Sequence, residues 1–140
     1  MEEFTSFICF RLGAVTRKIQ RFYNSLYKQY GITLGQSFIL FALKEKEGLS
    51  LGGMADKLNL DNSAITGLID RMESDNLLVR KVDPEDRRSF LIYLTEKGRI
   101  LANTVYPLAD RFNEQLKGSM NNEEQRVLNK LLRSLDQIID

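Results

Sequence analysis

The sequence predicts a mainly α-helical fold that carries one small β-hairpin. Three observations predict it. Apolar residues recur at three- and four-residue steps along most of the 140 residues, which is the period of an amphipathic helix. Leu49–Val82 contains two short apolar faces joined by Asn59-Leu60-Asp61. Two alternating runs then follow, Leu78–Val82 and Phe90–Leu94, separated by a charged loop that contains Pro84. Two short helices around a tight turn, followed by a hairpin, read as a winged helix-turn-helix.

Each element has its own signal. Phe4, Phe7, Ile8, Leu12, Val15, Ile19, Phe22, Leu26 and Tyr30 predict a long first helix, stopped by Gly31. Thr33 caps a second helix with apolar Phe38, Ile39, Phe41, Ala42 and Leu43, ending near Gly48. Leu51, Met54, Ala55 and Leu58 line the first helix of the helix-turn-helix, and a buried leucine, Leu60, is expected in the turn. Ile65, Leu68, Ile69 and Met72 line its second helix, capped by Asp61 or Asn62. In the hairpin, Leu78, Arg80 and Val82 alternate with Val79 and Lys81, and Asp83–Ser89 forms the loop, where Pro84 favours a turn. Thr95 caps a further helix that contains Pro107, a residue expected to kink it, and that ends at Gly118. Asn121 and Glu124 resemble a capping box before a last helix with Val127, Leu128, Leu131, Leu132, Leu135, Ile138 and Ile139.

Composition narrows the function. An apolar fraction of 43% suffices for a core, and the net charge of +1 means that any basic surface is local. One local bias is present: from Phe4 to Lys44 the charged residues are all Lys or Arg, which also describes an ordinary solvated helix face. There is no histidine and one cysteine, Cys9. That excludes His-based triads and the usual zinc sets, and no glycine-rich phosphate loop follows a strand, so neither an enzyme nor a metal or other cofactor is expected. No signal peptide or apolar stretch of about 20 residues is visible, so a cytoplasmic protein with no membrane partner is expected.

The second helix of the helix-turn-helix carries the candidate chemistry. With its apolar stripe inward, Ser63, Thr66, Gly67, Asp70, Arg71 and Ser74 face outward. A helix start with hydroxyls, a small residue and free N–H groups can approach double-stranded DNA closely. The loop adds Asp86, Arg87 and Arg88, and an arginine on a protruding hairpin can reach the negative potential of a narrow minor groove. Asn62, Ser63, Thr66, Gly67, Arg71, Arg80, Lys81, Arg87 and Arg88 are therefore the candidate DNA-binding residues, with Asp86 orienting an arginine. The bland alternative is an exposed, self-paired loop.

In this order of elements the chain resembles the MarR family of winged-helix transcriptional regulators. The resemblance covers almost the whole chain and is most specific over Ser50–Gly98, including the wing pattern Asp-x-Arg at Asp86, Arg87 and Arg88. It implies a homodimer, with residues 1–32 and 100–140 as dimerisation helices and 33–99 as the DNA-binding lobe of a single domain. It implies a repressor on a near-palindromic operator, with the second helix in the major groove and the wing arginine in the minor groove. Arg88 is the residue expected in that groove and Arg87 at a phosphate. Many members carry a basic residue where this chain has Gly67 after Thr66, which removes one expected base contact. A winged helix used only for protein–protein contact is the competing reading, and a wing bearing Arg87 and Arg88 favours DNA over it.

The resemblance also touches the signal. Some members that sense organic peroxides carry a reactive cysteine in a Cys-Phe-x-Leu stretch of the first helix, matched here by Cys9-Phe10-Arg11-Leu12. Tyr23 matches a tyrosine that hydrogen-bonds this cysteine, whereas Leu34 stands where those members have a second tyrosine. The alternatives are that Cys9 is a small apolar filler of a dimer core, or that the effector is a small phenolic or aromatic molecule held between the dimer helices and the DNA-binding lobe.

Overall fold

The computed structural model describes residues 1–139, so the last residue of the expected C-terminal dimerisation segment, Asp140, lies outside the described residues. The chain divides into two compact units, Met1–Val105 and a second that begins at Tyr106.

The first helix begins later than its apolar period suggests. A 3₁₀ turn, Phe4–Ser6, precedes it, and Phe7 is extended (ψ 139°), so α1 spans Ile8–Tyr27. After one more 3₁₀ turn, Gly31 adopts φ +71°, a left-handed conformation that a Cβ disfavours, and the chain reverses. Helix α2 spans Leu34–Glu45 and starts with a complete capping box, in which Thr33 and Gln36 exchange side-chain and backbone bonds. It ends short of Gly48 because Lys46 is already extended.

A strand absent from the sequence reading follows. β1, Leu49–Ser50, pairs antiparallel with the second hairpin strand, so the sheet has three strands in the order β1-β3-β2. Two residues are too few to show an alternating pattern. Ser50 doubles as the cap of α3, Leu51–Leu58, by accepting the Gly53 N–H at 3.0 Å. The turn after α3 is made by Asn59 at φ 54°, a left-handed position that asparagine tolerates. The expectation of a buried leucine there is corrected: Leu60 is 38% exposed. The turn is instead held by backbone bonds, Asn59 N–H to Asp56 O and Leu60 N–H to Ala55 O.

Helix α4, Asn62–Ser74, buries Ile65, Ile69 and Met72. They meet Ile39, Leu40 and Leu43 of α2, Met54 of α3, and Leu78 and Ile92 of the sheet in one core. Each such side chain contributes roughly 1.5–3 kcal/mol by leaving water. Strands β2, Leu78–Asp83, and β3, Asp86–Leu94, form the wing.

Helix α5, Glu96–Gly118, continues through Pro107. Its start is strapped to the α4–β2 turn. Thr95 donates its N–H to Leu77 O at 3.1 Å and its hydroxyl to Asn76 O at 2.7 Å, and Lys97 Nζ donates to Asp75 O at 2.9 Å. Glu47 ties the same region to the sheet, accepting from the Leu94 N–H at 3.3 Å and from Arg99 at 2.9 Å.

In the second unit, Asn121 and Glu124 form the expected reciprocal cap at 2.8 and 3.0 Å, and α6 spans Asn122–Ile139. Its stripe is largely uncovered in the single chain: Leu131, Ile138 and Ile139 are 54, 78 and 81% exposed. Helix α1 also leaves Ile8, Leu12, Val15 and Phe22 exposed, as is Phe7 just before it.

Candidate nucleic-acid interface

Asp61, not Asn62, caps α4: its Oδ1 accepts the Ala64 N–H at 2.7 Å. This leaves Asn62 free to point outward with Ser63 and Gly67, all exposed. Thr66 is half-buried, and its hydroxyl donates to Asn62 O at 2.7 Å, which leaves the oxygen as an acceptor. A Cβ added at Gly67 would meet nothing within 4 Å. Among the described residues no neighbour requires a glycine there. Arg71 is exposed in the last turn of the helix.

The wing differs from the expected seven-residue loop. Only Pro84 and Glu85 form the turn, because Asp83 accepts the Glu85 N–H at 2.9 Å and pairs with Asp86 across the strands. The register then jumps: Val82 pairs with Phe90, so Arg87, Arg88 and Ser89 bulge from β3. Asp86 organises the bulge. Its Oδ1 accepts the Arg88 N–H at 3.1 Å, its Oδ2 accepts the Ser89 hydroxyl at 3.2 Å, and the carboxylate lies 3.8 Å from the Arg88 guanidinium. The Arg88 side chain remains 96% exposed. The backbone is thus fixed while the guanidinium stays available.

Two other sequence candidates are held in place. Lys81 lies over the Tyr93 ring, 4.8 Å from its centroid, which preserves its charge at the surface. Arg80 turns inward to an ion pair with Asp70 on α4 and is only 25% exposed. Sequence reasoning left Asp70 without a role, although alternation already put Arg80 on the apolar face beside Leu78, where a guanidinium requires an acid. It also gave no role to Gly98, whose constraint appears only in the packing of α5 on Leu77.

Cys9 and Tyr23 both lie on α1, and Cys9 is exposed in the single chain. Fourteen residues of helix separate them by about 21 Å, so the two do not meet within one chain. Tyr23 is half-buried against the Tyr27 ring at 5.6 Å, and burial raises the pKa of its phenol. A cleft of about 490 Å³ opens beside the α5 junction, lined by Tyr30, Ile32, Asp75, Leu77, Lys97, Ile100, Leu101 and Thr104. Among the described residues, no group of three or more His, Cys, Asp or Glu side chains could hold a metal ion, and no helix is long and apolar enough to cross a membrane.

A capped helix with an open outer face, set beside a bulged basic wing, defines a winged helix-turn-helix regulator of transcription. The chain belongs to the MarR family, whose pattern residues 32–90 match. The organic hydroperoxide resistance transcriptional regulator of Bacillus subtilis (strain 168) is 36% identical over 117 residues, spanning 79% of this chain and 80% of that protein. Staphylococcus aureus MepR, solved in complex with DNA, has the same fold at TM-score 0.88 and 21% identity, over 94% of this chain and 97% of that one. Bordetella bronchiseptica BpsR, solved in a study of how 6-hydroxynicotinic acid regulates its DNA binding, matches at TM-score 0.87 and 25% identity, over 97% of both chains.

Proposed function

We propose that this protein is a cytoplasmic repressor that binds a near-palindromic operator as a homodimer and is released by a small-molecule or oxidant signal. No reaction is assigned to it. The observation that carries the reading is the pairing of two exposed surfaces. One is the short-chained start of α4, with Asn62, Ser63, Thr66 and Gly67. The other is the bulge that presents Arg87 and Arg88. In this reading α4 enters the major groove, Arg88 the adjacent minor groove, and Arg71, Lys81 and Arg87 meet phosphates.

The uncovered apolar stripes of α1 and α6 support the dimer, because monomers seldom leave such faces to water. Residues 1–32 and 100–140 then form the dimerisation region and 33–99 the DNA-binding lobe. Two-fold symmetry would set the recognition helices about one turn, ~34 Å, apart. The test is fluorescence anisotropy of the protein with a duplex selected from a random library, across several salt concentrations. Tight, salt-dependent, sequence-preferring binding is expected. Equal weak binding to selected and scrambled duplexes would replace the DNA reading with a protein-interaction module.

Gly67 gives a separable prediction. Gly67→Ala is expected to stabilise the fold by about 1 kcal/mol, from helix propensity alone, while weakening operator binding through a methyl group on the DNA-facing side. Thermal melting and anisotropy measured on the same samples check both signs. A variant that gains stability and binds equally well would remove Gly67 from the interface.

For the signal, we propose that Cys9 is oxidised by an organic hydroperoxide, the thiol becoming a sulfenic acid as the peroxide becomes an alcohol. The exposure of Cys9 and the 36% identity to a hydroperoxide-resistance regulator support this. Because α1 holds Tyr23 about 21 Å from its own Cys9, the tyrosine that serves each thiol would come from the second protomer. Hydroperoxide is expected to release wild-type protein from DNA and to leave Cys9→Ser bound. Equal affinities for reduced, oxidised and Cys9→Ser protein would discard the redox branch. The cleft beside Lys97 would then be the place to seek a phenolic or aromatic effector, since it has the size of a small-ligand pocket.

A further inference from the structure

Arg80 stands where the buried face of β2 meets solvent. Leu78 on the same face is fully buried and Val82 is 53% exposed. Between them, Arg80 reaches across to α4 and ion-pairs with Asp70. Its Nε is buried and has no hydrogen-bond partner among the described residues. The Asp70 side chain is 60% exposed on the outer face of α4, one turn from Thr66 and Gly67. An uncompensated carboxylate at that place would repel the phosphates of any duplex lying along α4.

We propose that Arg80 is a positioning residue for DNA binding: it neutralises Asp70 and ties the wing to the recognition helix without touching the duplex itself. The inference rests on the DNA-binding reading of the same surface. Three considerations carry it. The Arg80 side chain is three-quarters buried, whereas Arg71, Lys81, Arg87 and Arg88 are exposed. A partly buried ion pair is weak evidence for stability, because desolvation offsets most of the attraction, whereas removing one partner leaves a costly lone charge. The pair is also an ionic link between the two parts of the fold, α4 and the wing, that must reach adjacent grooves together.

The test is a double-mutant cycle on the full chain: wild type, Arg80→Met, Asp70→Asn and the double variant, with Arg80→Lys as the conservative change. Affinity for a duplex selected by wild type is measured across salt, at a temperature where circular dichroism shows every variant folded. Arg80→Met is expected to weaken binding by about tenfold or more, and Asp70→Asn to recover most of that loss in the double variant. Arg80→Lys should fall between Arg80→Met and wild type. In the Asp70→Asn background, Arg80→Met should leave the salt slope unchanged, since a lost phosphate contact would lower it by about one whether or not Asp70 is charged. If Arg80→Met costs as much affinity in the Asp70→Asn background as in wild type, the proposal is overturned in favour of direct contact. A change in melting temperature alone, with affinity unmoved, would reduce the pair to a structural role. If wild type selects no duplex, the DNA reading fails and the positioning role with it. Specific binding by wild type with additive losses sinks only the latter.

Discussion

Replacing Gly98 with alanine is expected to destabilise the protein by about 3 kcal/mol or more, the upper end of what overpacking costs. A Cβ built at Gly98 lies 1.9 Å from the carbonyl oxygen of Leu77 and 2.9 Å from its carbonyl carbon. Even a weak C–H···O contact needs about 3.3 Å. The obstacle is backbone, so no rotamer change relieves it. Either α5 lifts away or Leu77 withdraws, and Leu77 O is the acceptor of the Thr95 N–H at the start of that helix. A loss of this size corresponds to roughly 10 °C in Tm for a chain of this length. Thermal unfolding followed by circular dichroism, at fixed protein concentration because dimerisation shifts Tm, measures it. Gly52→Ala is the internal control. Gly52 lies in α3 with nothing within 4 Å of an added Cβ, so that change should stabilise by up to about 1 kcal/mol. If Gly98→Ala melts with wild type, α5 is not seated on Leu77.

The contrast between those two glycines marks what local sequence can reveal. Both sit in helices, and no local rule separates them, because the constraint on Gly98 comes from Leu77, on the far side of the whole wing. Where a signal is local it was readable. Thr33 with Gln36 and Asn121 with Glu124 are caps within one turn, and both close reciprocally. The stripe Ile65, Ile69 and Met72 is buried because a helical period dictates one face. Features that arise between elements were hidden. β1 is two residues long and exists only because β3 offers it a partner. Leu60 is apolar yet 38% exposed, because its depth depends on which elements pack over the turn, while the turn itself is closed by backbone bonds. The wing lies between these cases. Its acids and arginines were legible, whereas the bulge that separates Arg87 and Arg88 from the ladder needed the register of Val82 on Phe90.

That bulge determines what Arg88→Ala will do. The Arg88 backbone is fixed by Asp86, which also accepts from Ser89, while its side chain projects 96% exposed. Truncating an exposed side chain away from packing changes stability by no more than about 0.5 kcal/mol, so the variant should melt with wild type. Its binding should fall by about 1–3 kcal/mol, or roughly 5- to 150-fold, because a guanidinium in a narrow groove loses both charge and fit. Arg87→Ala separates the two kinds of contact. If Arg87 meets a phosphate, its loss weakens all duplexes alike and lowers the salt slope by about one, whereas Arg88→Ala also erodes the preference for the selected duplex over a scrambled one. Anisotropy titrations of both variants on both duplexes, across salt, distinguish these outcomes. Unchanged affinity and slope for Arg88→Ala would place the wing away from DNA. The Asp86 network would then be what the bland reading of the loop supposes, an exposed set of charges paired with itself.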